Sequence, residues 1–142
     1  MEIKNLDWND FPSNSELEMV RSGLNAYNLR FTEDYGMEPL SLTVKDSQGR
    51  LVGGLIGLTY WKWFYVDILW VDESVRSCGI GSRLLSRAEE VAVSRGCCHA
   101  HLDTHDFQAP GFYEKQGYTV CGEIRDLPPG HCRYVMSKKL SD

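Results

Sequence analysis

The residues best suited to chemistry in this sequence are Arg76-Ser77-Cys78-Gly79-Ile80-Gly81. Gly79 and Gly81 take away the side chains that would hold a bulky anion off the backbone, and Arg76 can add a charge-assisted hydrogen bond to it. A diphosphate is the anion such a loop suits, if the loop opens a helix: unpaired N–H groups and the positive end of the helix dipole then converge on one spot. An ordinary glycine-containing turn is the alternative, and the flanking segments decide between the two. Two commoner phosphate loops are excluded. The dinucleotide fingerprint needs a third glycine where this chain has Leu84, and the P-loop needs a Gly-Lys-Ser/Thr ending that Gly81-Ser82-Arg83 does not supply.

The loop is positioned by what lies on either side. Before it, Phe64-Tyr65-Val66-Asp67-Ile68-Leu69-Trp70-Val71 is rich in β-branched and aromatic residues and predicts a central strand. After it, Ile80, Leu84, Ala88 and Val91 recur at helical spacing with Arg83, Arg87 and Glu90 on another face, which predicts an amphipathic helix covering a sheet and ending at Gly96. Strand, glycine loop and helix in that order favour the phosphate reading and point to a coenzyme.

Further out, Ser13 or Ser15 caps a predicted helix running through Leu29, with Leu17, Val20, Leu24 and Tyr27 as an apolar stripe expected in the core. Pro39 to Lys45 reads as a strand, Asp46-Ser47-Gln48-Gly49 as a hairpin turn, and Leu51 to Tyr60 as the returning strand, so that with the strand ending at Val71 they form an antiparallel meander. Cys98 to Thr104 is a further strand. Asp106 is expected to cap a short helix that tolerates Pro110 in its first turn and is closed by Gly117. Tyr118 to Ile124, a loop over 126–130, and Cys132 to Lys138 complete the chain as two more strands.

Arg76-Ser77-Cys78-Gly79-Ile80-Gly81 resembles the Q/R-x-x-G-x-G/A acetyl-CoA loop of the GNAT N-acetyltransferase superfamily. Ala109-Pro110-Gly111-Phe112-Tyr113-Glu114-Lys115-Gln116-Gly117-Tyr118 is similar to that superfamily's A-x-x-x-Y-x-K-x-G-F/Y segment, and the two occur in the family's order; the likeness spans about residues 40 to 140. The resemblance implies one α/β domain over residues 1–142: a mixed, mostly antiparallel central sheet flanked by helices, whose two neighbouring parallel strands splay apart to admit the coenzyme. Those would be the strands ending at Val71 and Thr104.

By the same resemblance, acetyl-CoA is the co-substrate, held by backbone groups of Leu69, Trp70 and Val71, by Arg76, Ser77, Cys78, Gly79, Ile80, Gly81 and Ser82, and by Gln108, Gly111, Phe112 and Tyr113. The implied activity is N-acetyl transfer by direct attack of an amine in a ternary complex. Such transfer needs a neutral amine, a polarised carbonyl and a proton for the departing thiolate. Tyr113 stands at the family's tyrosine and is the implied general acid; Asp67, on the strand leading to the loop, is the expected base. His99, His101 and Asp103 are alternatives, as is loss of the amine proton to bulk water. Asp106 departs from an asparagine often found at that place, and Gln108 nearby can substitute as a polar contact. Trp61, Trp63, Trp70, Tyr27 and Tyr60 are candidates for an acceptor pocket, against the ordinary alternative of sheet-face packing. Two other functions stay open: a non-catalytic acyl-CoA sensor, and a protein or peptide N-acetyltransferase. A homodimer is expected from the resemblance alone.

The 142 residues, 42% hydrophobic, make a chain of the usual size for one domain. A net charge of −5 argues against a nucleic-acid surface and suits a cationic, small-molecule amine acceptor. No apolar stretch is long enough to span a membrane and no secretory signal opens the sequence, so the expected location is cytoplasmic. Five cysteines, two of them adjacent at Cys97-Cys98, suit the reduced thiols of a bacterial-type cytosol better than a disulfide framework. His99, His101, Asp103 and His105 beside those cysteines match no standard zinc spacing, and no metal is expected.

Overall fold

The computed structural model describes residues 4–142, which divide into two compact units, one ending at Tyr35 and the other spanning Gly36–Asp142. The first unit is organised by helix α1 (Asn14–Asn28). Its start is written locally: Ser13 Oγ accepts from the Glu16 N–H at 3.1 Å while Glu16 accepts from the Ser13 N–H at 3.0 Å, a reciprocal capping box. The expected stripe is not core. No residue of α1 is buried, and Leu17, Val20, Leu24 and Tyr27 are 38%, 72%, 63% and 54% exposed. Helical periodicity shows which residues share a face; it does not supply a surface for that face.

The second unit holds strands β1 (Glu38–Lys45), β2 (Leu51–Tyr60) and β3 (Trp63–Val71), helix α2 (Ile80–Ser94), β4 (His99–His105), helix α3 (Pro110–Lys115), β5 (Thr119–Arg125) and β6 (Cys132–Lys139). The six strands form one sheet in the order β1-β2-β3-β4-β6-β5, antiparallel except for β3 and β4. Asp46 shapes the first hairpin by accepting from the N–H groups of Gln48 and Arg50, both at 2.9 Å. The second hairpin turns through Trp61 and Lys62, both at positive φ, a turn the sequence hides because neither residue is a usual turn former. The core lies between the sheet and α2, with Leu55, Phe64, Leu85, Ala88, Ala92, Ala100 and Met136 fully enclosed.

The splay develops between β3 and β4. They pair only from Trp63 with His99 to Val66 with Leu102, although β3 continues to Val71 and β4 to His105. The divergence coincides with a β-bulge: Gly57 pairs with Val66 and Ile56 with Ile68, leaving Asp67 as the extra residue on β3. A bulge bends its strand and raises the local twist, which carries the rest of β3 away from β4. Gly57 permits this close approach, because a Cβ there would stand 2.4 Å from the Tyr65 carbonyl oxygen.

Candidate active site

A cleft of about 940 Å³ opens where β3 and β4 part. Its walls come from Asp67 to Val71 on β3, from the loop and first turn of α2, from Asp103 and Thr104 on β4, and from Phe107 to Ala109, Phe112 and Tyr113 around α3. Of the residues expected to hold a coenzyme, Leu69, Trp70, Val71, Arg76, Ser77, Gly79, Ile80, Gly81, Ser82, Gln108, Phe112 and Tyr113 all line it; Cys78 and Gly111 do not. Asp67 lines it too.

The loop is built to present N–H groups. Ser77 and Gly79 sit at φ +68° and +79°, and Gly79 caps α2 with no side chain, so the first-turn N–H groups of α2 are left to whatever occupies the cleft. Val71 and Phe112 pack within ordinary contact distance of Gly81. Asp72 stiffens the approach: its carboxylate accepts from the Ser74 N–H at 2.9 Å and pairs with Arg50 at 3.2 Å. Arg76 bonds the Val71 carbonyl through Nε at 3.3 Å, so its guanidinium is tied to the end of β3 beside the loop. Ser82 Oγ donates to Gln116 Oε1 at 3.0 Å, which joins the first turn of α2 to the end of α3 and sets the loop against Tyr113.

Tyr113 is 8% exposed, packed edge-on against Phe112 and Tyr118. Burial pushes its phenol up to about 12, so it stays protonated through the neutral range. No group among the described residues engages its hydroxyl. Tyr118, by contrast, donates to Glu89 at 2.8 Å, and Glu89 pairs with Lys138 at 3.0 Å. The two tyrosines of the segment thus divide between cleft and scaffold.

The alternatives on β4 are engaged elsewhere. His101 accepts or donates at 2.7 Å to the Tyr60 hydroxyl and packs among Tyr60, Trp63 and Tyr65; burial lowers its pKa, against a smaller opposing effect of Asp103. His99 stacks on Trp63 at 4.6 Å. Asp103 reaches the cleft but pairs with Arg133 at 2.9 Å. Gln108 Oε1 accepts from the His105 N–H at 2.8 Å and bonds its Nδ1 at 3.0 Å, which leaves the amide nitrogen for a ligand.

Asp106 is not the helix cap. Ala109 occupies the N-cap of α3 with no side-chain bond, while the Asp106 carboxylate reaches across to His131 Nδ1 at 2.9 Å and the Cys132 N–H at 3.0 Å. The stronger donors lie across the loop rather than ahead in the chain. Ile68, Thr104 and Phe107, which lie outside both motifs, line the cleft as well. The signal for Phe107 was its place just beyond the carboxyl end of a parallel strand, where open α/β sheets bind ligands. Among the described residues, no group of three or more His, Cys, Asp or Glu is arranged to hold a metal ion, and no helix is long and apolar enough to cross a membrane. All five cysteines are free thiols.

The profile of the Acetyltransferase (GNAT) family matches residues 1–118. This chain belongs to the GNAT acetyltransferase family. It is similar to a blasticidin-S acetyltransferase of Streptomyces morookaense, 47% identical over 94 residues that cover 66% of this chain and 69% of the relative. An acetyltransferase of Agrobacterium fabrum is 38% identical over 121 residues, covering 85% of this chain and 88% of its own. The crystal structure of an acetyltransferase from Bacillus cereus superposes with a TM-score of 0.86 at 38% identity, covering 94% of this chain and 97% of that one. The enzyme class is therefore acetyltransferase, and the splayed sheet is the family fold.

Proposed function

We propose that this acetyltransferase moves the acetyl group of acetyl-CoA onto a primary amine of a small-molecule acceptor. The observation that carries the reading is the meeting, in one cleft, of a glycine loop at a helix N-terminus with the unengaged hydroxyl of Tyr113. The loop suits the coenzyme's diphosphate: Gly79 adopts its positive φ without strain, and a Cβ there would meet nothing, so the approach from solvent is open. Beyond Val66, β3 has no β4 partner, so strand-edge backbone groups can bond the amides of the pantetheine arm.

Acetyl-CoA supplies an activated acyl group, a carbonyl carbon bearing a thiolate leaving group. Tyr113 gives its proton to the sulfur as the carbon–sulfur bond breaks. A phenol held well above neutrality is protonated in every resting enzyme molecule, and once its proton has gone to the sulfur it is recharged by solvent. Asp67 lines the cleft at the bulge, carries no ion-pair partner among the described residues, and takes the amine proton directly or through water. The name of the Streptomyces relative, a blasticidin-S acetyltransferase, supports a small-molecule acceptor.

Mass spectrometry of a mixed amine panel incubated with acetyl-CoA tests this. The expected result is a product heavier by one acetyl group, with turnover falling about 10²–10⁴-fold in Tyr113→Phe while coenzyme affinity holds. Coenzyme binding without any product would favour a sensor, and equal turnover in Tyr113→Phe would remove the tyrosine from its role.

A further inference from the structure

We infer that the acceptor is an amine carried on a flat apolar body, seated between Trp70 and Ile68 on one side and Phe107 on the other, with its ammonium at Asp67. The inference rests on the reading of the cleft as an amine acetyltransferase site and goes on to the class of amine.

The cleft passes through the sheet, and its two faces differ in chemistry. On β4, Ala100, Leu102 and Thr104 are buried in the core, so Asp103 and His105 point to the opposite face. On β3, Leu69 packs against the core and Val71 lies against Gly81, so Ile68 and Trp70 also point to the opposite face. The loop at α2 and Tyr113 therefore belong to one face, and Trp70, Ile68 and Asp103 to the other.

Three large apolar side chains stand open on that second side of the cleft. Ile68, Trp70 and Phe107 are 49%, 43% and 57% exposed, and all line the cleft. Ile56, opposite Ile68 in the ladder, extends the apolar surface at 51% exposed. Phe107 is held in place. Its ring stacks on His105 at 5.3 Å with an interplanar angle of 3°, and meets His131 edge-on at 4.8 Å, where Asp106 pins that histidine. Aromatic rings fixed in this way suit a planar body, and Trp70 adds a face for a cation.

The charge at this surface is one-sided. Asp103 is matched by Arg133 at 2.9 Å, which leaves Asp67 as the carboxylate of the cleft without an ion-pair partner among the described residues. A short alkylamine would satisfy Asp67 and leave the apolar surface wet; a neutral aromatic would do the reverse. An aromatic or similarly flat amine satisfies both.

Titration calorimetry on the coenzyme A-saturated protein tests the inference with 3-phenylpropylamine, propylamine and 3-phenylpropanol. The expected result is that the arylamine binds about tenfold or more tightly than either comparison compound. Phe107→Ala weakens the arylamine about fivefold and leaves propylamine unchanged, Trp70→Ala weakens both amines but the arylamine by the larger factor, and Asp67→Asn removes the advantage of amine over alcohol. These side chains are exposed, so their truncation leaves the core intact, and the comparison of probes on the unaltered chain needs no variant. Equal affinity for the three probes, or a preference that survives both aromatic truncations, overturns the inference. Incubation of the same amines with acetyl-CoA separates the two readings. Preference without acetylated product overturns amine acetylation and keeps the aromatic seat, whereas acetylation of both amines with equal kcat/KM overturns the seat and keeps the enzyme.

Discussion

Helices α1 and α2 are each 15 residues long, and each carries an apolar stripe at helical spacing. Helix α2 buries Leu84, Leu85, Ala88 and Ala92, whereas α1 buries nothing. The difference follows from connectivity more than from composition. Helix α2 is the crossover between two parallel neighbours, β3 and β4, a connection that brings the helix back onto the sheet. Helix α1 precedes β1 and no such constraint acts on it. The better-capped helix is the exposed one: α1 has a full capping box, while α2 begins at a bare glycine. A helix fixed by packing can leave its N-terminus uncapped, and that bare end is what the cleft uses.

The sharpest way to break this comparison is to truncate both helices. Leu85→Ala, at a fully enclosed position, is expected to cost about 2–5 kcal/mol of unfolding free energy, and Val20→Ala in α1 less than about 0.5 kcal/mol, both read from urea midpoints. Equal losses would mean that α1 is as much a part of the stable body as α2. Gly57→Ala comes next. Its added methyl would sit 2.4 Å from a carbonyl oxygen, so the bulge must shift, at a cost of about 1–3 kcal/mol and with impaired transfer; unchanged stability would show that the bulge is not needed for the splay.

The buried end of the cleft makes a pH prediction. Burial raises the Tyr113 phenol to about 12, so the acid form persists as pH rises. The expected kcat profile shows no fall up to about pH 10; a fall with a midpoint near pH 9 would assign the acid to another group. Ser13→Ala should cost about 1 kcal/mol, seen as faster amide exchange over residues 14–28 with α2 unaffected. Loss of protection in α2 as well would couple the two helices. The smallest effect belongs to His101. Burial lowers its pKa from the ordinary 6.5, so the neutral form is favoured in the folded state; the stabilisation is complete above that value and is lost as pH falls. His101→Gln is therefore expected to shrink the drop in Tm between pH 7.5 and pH 5 by about a degree.

Every strand was legible in the sequence to within two residues, because turn formers and β-branched runs mark strand ends wherever the chain turns by its own chemistry. Asp46 in the first hairpin is such a case. The second hairpin is the opposite, since Trp61 and Lys62 adopt positive φ in a turn that only the pairing of Tyr60 with Trp63 imposes. Asp106 divides the same way: a capping residue by type and place, it bonds His131 and Cys132 instead, 25 and 26 residues along the chain.

The sequence by itself determined the order of elements, the glycine loop at the head of α2, and the tyrosine segment that follows. These depend on backbone freedom and side-chain type within a few residues of each other. Tertiary structure decided where β3 and β4 part, which of Tyr113 and Tyr118 faces the cleft, and that Phe107 and Trp70 line the same cleft. Each of those depends on the register of strands distant in sequence, and register is set by packing that no local stretch of chain contains.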